Sequence, residues 1–427
     1  MNDKRFLGMK PTHFRSLGYV GSTGSDWRII DYSISKLVSQ NILYAAYHNP
    51  KTINEISDMV GAEISLIEDQ IHFFEKHGFM DKISHDLYIT NMLLHDFSKE
   101  VCEEKHKIYN QYAMMICDKY IQLLLQWIVD GGKGIGGIVP VRNLHEGTAS
   151  SYMDTFMLST SISSCDLAER MNAFPTDRGI YVPENDLNFL LWTMISFALN
   201  HKLFDVKQQD IIPDFCIKRY DGSEFNVFAT VEKNMDLSYK RDLYQYSGPY
   251  TFGFDKKAYP FSVWIYNTYY DDRDIDWVQV LQKKFVYLYF YMTGKIDKTM
   301  ANSFPFDSML KHGLLCEKQP LSPNVIISKM TYEDIKNDLP NIPEELLGLN
   351  DEFAEKIYNL CKAEYPEHMI DLAHVFYQNH LASGEVITRV FEILLKNNVL
   401  KPLTDAQKMT VNMIMFLDEC VYTRAAV

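Results

Sequence analysis

The chain has no pair of cysteines at C-x-x-C spacing. Its seven cysteines, at positions 102, 117, 165, 216, 316, 361 and 420, are odd in number and scattered. That argues against a disulfide framework and a zinc ribbon, and reads as reduced thiols mostly in cores. Long hydrophobic runs are also missing. The opening MNDKRFLGMKPTHFRSLG has no signal-peptide core, and the densest apolar run, Phe285 to Met292, is too short to span a bilayer. The expected setting is the cytoplasm, with no membrane partner. Positive charge is scarce: the net charge of −14 disfavours a nonspecific nucleic-acid coat, while leaving room for one local basic patch.

Catalytic signatures are equally thin. No G-x-S-x-G elbow occurs. Lys133 in GGKGIGG is followed by glycine where a Walker loop needs Ser or Thr for magnesium, and the run fits G-x-G-x-x-G only after a helical pattern, not the strand a dinucleotide site requires. His368, His374 and His380 are six apart, a spacing that turns them around a helix so that they cannot share one metal. No cofactor is expected. A small-molecule transferase is the lesser alternative, without the glycine-rich strand-to-helix signature such an enzyme needs.

What the chain does have is 427 residues, 47% hydrophobic and 13% aromatic, enough for two or three domains with sizeable cores. The clearest organisation lies between Asp26 and Phe97. Ile34, Leu37, Val38, Ile42, Ala45 and Ala46 recur at three- and four-residue spacing, and Pro50 ends that helix. Thr52 and Glu55 have capping-box spacing for a second helix, closed by Gly61. A third, from about Glu63 to His77, carries Ile64, Ile67, Ile71 and Phe74 on one stripe and stops at Gly78. Met80 to Ile83 and Leu87 to Thr90 then flank the polar turn Ser84-His85-Asp86, as in a short hairpin.

The run VGAEISLIEDQIHFFEKHGFM (Val60 to Met80) resembles the turn, recognition helix and first wing strand of bacterial winged-helix regulators of the MarR and ArsR type. DWRIIDYSISK with NILYAAYHNPKTINEIS is similar to a group of Bacteroidetes proteins with a winged-helix segment, some labelled sigma-factor-like. The resemblance implies a transcription regulator with an N-terminal DNA-binding winged helix and a C-terminal sensing or interaction region. The candidate DNA contacts are Ser65 and Gln70 on the third helix, Lys82 and His85 in the hairpin, and Lys4, Arg5, Lys10 and Arg15 in a basic, glycine-containing arm over residues 1–25.

Charge points the other way. Residues 26–100 hold six Lys or Arg and twelve Asp or Glu, 6 − 12 = −6, and the outward face of the third helix carries Glu68 and Asp69, with Phe73 one turn on. DNA affinity rests on cations that displace condensed counterions. The alternative is a protein-interaction or dimerisation factor that docks through Glu68, Asp69 and an exposed Phe73. Its partner is another protein or a second copy of the chain.

After the hairpin the pattern predicts a long helix over 98–130, connecting or dimerising, then an α+β domain over 131–330 and a helical domain over 331–427. In winged-helix regulators such a helix often builds the dimer interface; packing within the same chain accounts for it equally well. Strands are expected at Phe215 to Tyr220, Phe225 to Val231, Phe261 to Tyr266 and Asn324 to Ser328, with a helix from Ile275 to Met292. The fold class is therefore α+β and mainly helical, with a small antiparallel sheet in the middle. Tyrosine-rich 239–270 reads as packing or an effector pocket, and the acidic run 271–276 as a helix start, since Lys283 replaces the glutamate that would close a calcium loop. Met369 to Leu400 parallels the first module at an offset of 320, so a second, divergent module is conceivable.

Overall fold

The computed structural model describes residues 12–22, 27–130, 180–183, 186–204, 215–218, 222–231, 250–253, 261–265, 277–292, 305–311, 313–316, 322–328, 331–380, 385–408, 410–411 and 413–417. Lys4, Arg5 and Lys10, GGKGIGG, most of the tyrosine-rich segment and the acidic run 271–276 lie outside them. The fold is mainly helical α+β with several small sheets. Two compact units divide it, each assembled from three stretches: Met1–Tyr109, Gln209–Lys240 and Gly348–Ala382 form one, and the rest forms the other. The contiguous divisions at 130 and 330 expected from sequence do not follow these units. Among the described residues no helix is long and apolar enough to cross a membrane.

The first unit opens with strand β1 (Phe14–Ser22), followed by α1 (Trp27–Ile34), α2 (Leu37–Ala45), β2 (Lys51–Thr52), α3 (Ile53–Val60), α4 (Ile64–Lys76), β3 (Met80–Lys82), β4 (Leu87–Thr90), β5 (Leu93–His95) and α5 (Lys99–Ile116). The capping box expected at Thr52 is present: its backbone N–H donates to Glu55 Oε2 at 2.8 Å, and Glu55 N–H donates to Thr52 Oγ1 at 3.2 Å. Gly61 and Gly78 end α3 and α4 at φ of 72° and 70°, left-handed values that favour glycine. A small sheet in the order β2-β4-β3 closes this stretch.

The expected flexible arm is in part a strand. β1 pairs antiparallel with Glu224–Val231, Arg15 is the extra residue where the register slips between Phe14 and Ser16, and β5 runs parallel along the other edge of the same central strand. Side-chain amides of α2 anchor its start: Thr12 N–H donates to Asn41 Oδ1 at 2.8 Å and Phe14 N–H to Gln40 Oε1 at 3.0 Å. Gly18 pairs with Phe228, whose ring lies across it where a Cβ would collide. That ring continues to Phe376 and His95, with centroids 4.9 and 6.0 Å away. Gly18 is thus a packing position. Gly18→Val is expected to destabilise the chain by about 1–3 kcal/mol through overpacking, read as a lower denaturation midpoint with an unchanged slope.

In the second unit α5 continues through a π-helical turn (Cys117–Ile121) into α6 (Gln122–Asp130). A five-stranded sheet takes strands from far apart in sequence, in the order Ile180–Tyr181, Ile326–Ser328, Met413–Leu417, Phe261–Ile265, Tyr250–Gly253. Its alternation defines two faces. Phe261, Val263, Ile265, Met413 and Met415 pack with Phe285, Leu288 and Tyr289 of helix Trp277–Met292. Trp264 and Phe416 turn the other way, to Phe197 of helix Leu187–Ala198, with ring centroids 5.0 and 6.4 Å apart. Trp192 of that helix stacks on Phe391 at 4.6 Å.

Three expectations are corrected here. The sheet is mixed, because Ile326–Ser328 runs parallel to Met413–Leu417. The C-terminal region is not all helical: the apolar run at 413–417 is a central strand, buried at 413–416, a case in which continuous hydrophobicity does not separate strand from helix. The second module does not form, since helix Ile370–His380 belongs to the first unit and helix Ile387–Lys396 to the second.

Candidate interaction surface

Helix α4 buries Ile67, Ile71 and Phe74. Ser39 Oγ donates to Gln70 Oε1 at 2.9 Å, so Gln70 is half-buried and committed to α2. Phe73, expected outside, is also half-buried, its ring 4.4 Å from that of His77 and edge-on to Phe74. The face left to solvent holds Ile64, Ser65, Leu66, Glu68, Asp69, His72, Glu75 and Lys76. Ile64, expected in the buried stripe, is 46% exposed and Leu66 is 44% exposed. Both stand in the first turn, beyond the end of the core that the stripe covers.

The β3–β4 hairpin adds a second exposed element. Ile83 N–H closes the turn on Leu87 O at 2.8 Å, and its side chain is 54% exposed. Lys82 is exposed, its Nζ 5.5 Å from the centre of the Tyr88 ring, and His85 is exposed in the turn. Arg15 is held in β1 rather than in an arm. The predicted contacts therefore divide: Ser65, Glu68 and Asp69 share the open face of α4, Lys82 and His85 share the hairpin, and Gln70 and Phe73 are turned into packing. Exposed apolar side chains at 64, 66 and 83 were missed. A helix first turn and a hairpin turn are the places where a hydrophobic residue can fall outside its stripe.

The base of the hairpin is fixed from far along the chain. Thr90 Oγ1 donates to Leu43 O at 2.6 Å, and His368 Nε2 lies 3.0 Å from Thr90 O, so that this nitrogen carries the proton. His95 Nδ1 is 2.6 Å from Tyr365 Oη, itself 3.3 Å from Tyr377 Oη. Tyr44 donates to Asp96 Oδ2 at 2.6 Å. Burial drives the phenols of Tyr365 and Tyr377 well above their ordinary range, so they serve as neutral hydrogen-bonding groups. His374 instead meets Glu355 at 3.0 Å on the surface. Among the described residues no group of three or more His, Cys, Asp or Glu is placed to hold a metal ion.

Burial lowers the pKa of His368 below its ordinary 6.5, against the pull of its bond to Thr90 and of Asp81. The unfolded chain then binds the proton more readily than the folded one. The stabilisation is fully present above about pH 6.5 and is lost as pH falls through the depressed folded value. His368→Gln, which keeps a donor for Thr90 O, is expected to flatten the fall in melting temperature between neutral and mildly acidic pH. An unchanged slope would remove His368 from that role.

No family model, curated protein or solved structure matches this chain. The surface must be read from its own chemistry. Its open α4 face offers Glu68, Asp69 and Glu75, with Glu63 at the N-cap, against Lys76 alone. Next to these carboxylates stand two large apolar side chains. Such a face repels phosphate and loses free energy by staying in water.

Proposed function

We propose that residues 27–95 are a winged helix used to dock another protein, within a cytoplasmic regulatory factor, and not to read DNA bases. The observation that carries this is the exposed, acidic face of α4, flanked by the apolar side chains of Ile64 and Leu66 as anchors, with Glu68 and Asp69 between them. The partner is a protein segment with an apolar ridge flanked by Lys or Arg. Buried apolar anchors supply most of the affinity, and rim charges set orientation and encounter rate.

A second reading, a bacterial transcription regulator, is favoured by the order α2, β2, α3, α4, β3, β4, which is that of DNA-reading winged helices. Lys82 and His85 in the hairpin, Ser65, and a basic segment with Lys4, Arg5 and Lys10 would then meet the backbone. The test is binding of the full chain to sheared genomic DNA at about 50 and about 200 mM salt, a range over which several phosphate contacts cost orders of magnitude in affinity. The docking reading expects no retained DNA at either salt. Salt-sensitive retention with enrichment of particular fragments replaces it with the regulator.

A further inference from the structure

The first unit contains a helical hairpin, Leu349–Cys361 and Ile370–His380, whose surface gathers polar atoms that the docking face does not use. His374 and Gln378 stand one turn apart on the second helix and so share a face. Glu355 meets them from the first helix. His374 Nε2 lies 3.0 Å from Glu355 Oε2 and 3.1 Å from the side-chain nitrogen of Gln378. One ring nitrogen cannot at once donate to a carboxylate and accept from an amide N–H. Turning the Gln378 amide over, which exchanges its nitrogen and oxygen without moving the chain, places an acceptor there instead. One imidazole nitrogen, one carboxylate oxygen and one amide oxygen then converge.

The distances suit a zinc-sized ion. Bonds of about 2.0–2.2 Å to nitrogen and oxygen around a tetrahedral zinc ion set neighbouring ligand atoms about 3.3 Å apart, so the three donors need to open by only a few tenths of an ångström. They are also held in place. The Tyr358 ring packs on the imidazole with centroids 4.5 Å apart, and Asn359 Nδ2 donates to the other carboxylate oxygen, Glu355 Oε1, at 2.7 Å. Asn359 is fixed in turn by Lys362 Nζ, which donates to its Oδ1 at 2.8 Å. Partners of this kind orient metal ligands and raise affinity. The side chains of His374 and Glu355 are 37% and 50% exposed, so an ion can enter. We propose that Glu355, His374 and Gln378 bind a divalent cation of the zinc class, with water completing the coordination. An imidazole donor favours zinc, copper or nickel over magnesium and calcium. With a neutral amide as the third donor, the site is weaker than a closed one of four thiolate or imidazole ligands. The ion ties together two helices whose connecting segment supplies Tyr365 and His368 to the residues beside the β3–β4 hairpin. It is independent of what α4 binds.

Calorimetric titration of zinc into the metal-stripped full chain tests the proposal. Binding is expected, and His374→Ala and Glu355→Gln should each weaken it by about tenfold or more. Asn359→Ala, which frees Glu355 to swing away, should weaken it by about tenfold. Gln378→Glu replaces the neutral donor by a charged one and should tighten the site several-fold, since ligand charge sets cation affinity. That gain cannot come from a misfolded variant, and circular dichroism without metal checks that the others fold. A chain that takes up no zinc, zinc held equally well by His374→Ala, or a Gln378→Glu variant that binds no tighter than the unaltered chain overturns the assignment.

Discussion

Residues 1–109 produced alone are expected not to fold. This stretch holds every element of the candidate winged helix, yet β1 and β5 both pair with Glu224–Val231, which lies between them in the sheet. Without that strand two edges lose their ladder, and the burial of Phe225, Val227, Ala229 and Val231 is lost with it. At about 1.5–3 kcal/mol for each large apolar side chain, the three largest alone approach the roughly 5–15 kcal/mol that holds a whole domain. The hydrogen bonds from His368 to Thr90 and between His95 and Tyr365 go as well. The fragment should show poorly dispersed amide resonances and no cooperative thermal transition. A cooperative transition near that of the full chain would mean that residues 209–240 and 348–382 decorate this unit and do not build it.

The second large effect is on recognition. Ile64→Asp combined with Leu66→Asp is expected to abolish partner capture, a loss of about 30-fold or more, which corresponds to roughly 2 kcal/mol at an anchor position. Both side chains are about half exposed in the free chain. Stability should therefore change by no more than about 0.5 kcal/mol, as for surface sites without special contacts. A control at Ile71, fully buried two turns along α4 from Ile64, should instead unfold the unit and lose capture for that reason. Capture that survives the double substitution at native stability moves the interface off this face.

What could be read from sequence follows from the range of the interactions involved. The capping box at Thr52, the stops at Gly61 and Gly78 and the buried stripe of Ile67, Ile71 and Phe74 are local rules, and the elements they specify are present. β1 was hidden because Gly18 and Gly21 suggest a loose arm. Gly18 is needed only because Phe228, more than two hundred residues away, lies across it. Likewise nothing near Thr90 or His95 announces His368 and Tyr365 as partners. Strands at 224–231, 261–265 and 326–328 were legible by period and composition, whereas their neighbours in the sheets were not. At the surface itself, the acidic residues of α4 were visible in the sequence. Which apolar residues they surround depended on where the core ends, and that moved Ile64 outward and Phe73 inward.

The central claim is that the open face of α4 meets protein. Its most direct test places a photoreactive amino acid at Leu66, irradiates living cells making the full chain, and asks which enzyme removes the adduct. The docking account predicts a discrete adduct that survives nuclease, disappears with protease and is lost when Ile64→Asp is present. A nuclease-sensitive adduct would contradict it and assign α4 to DNA.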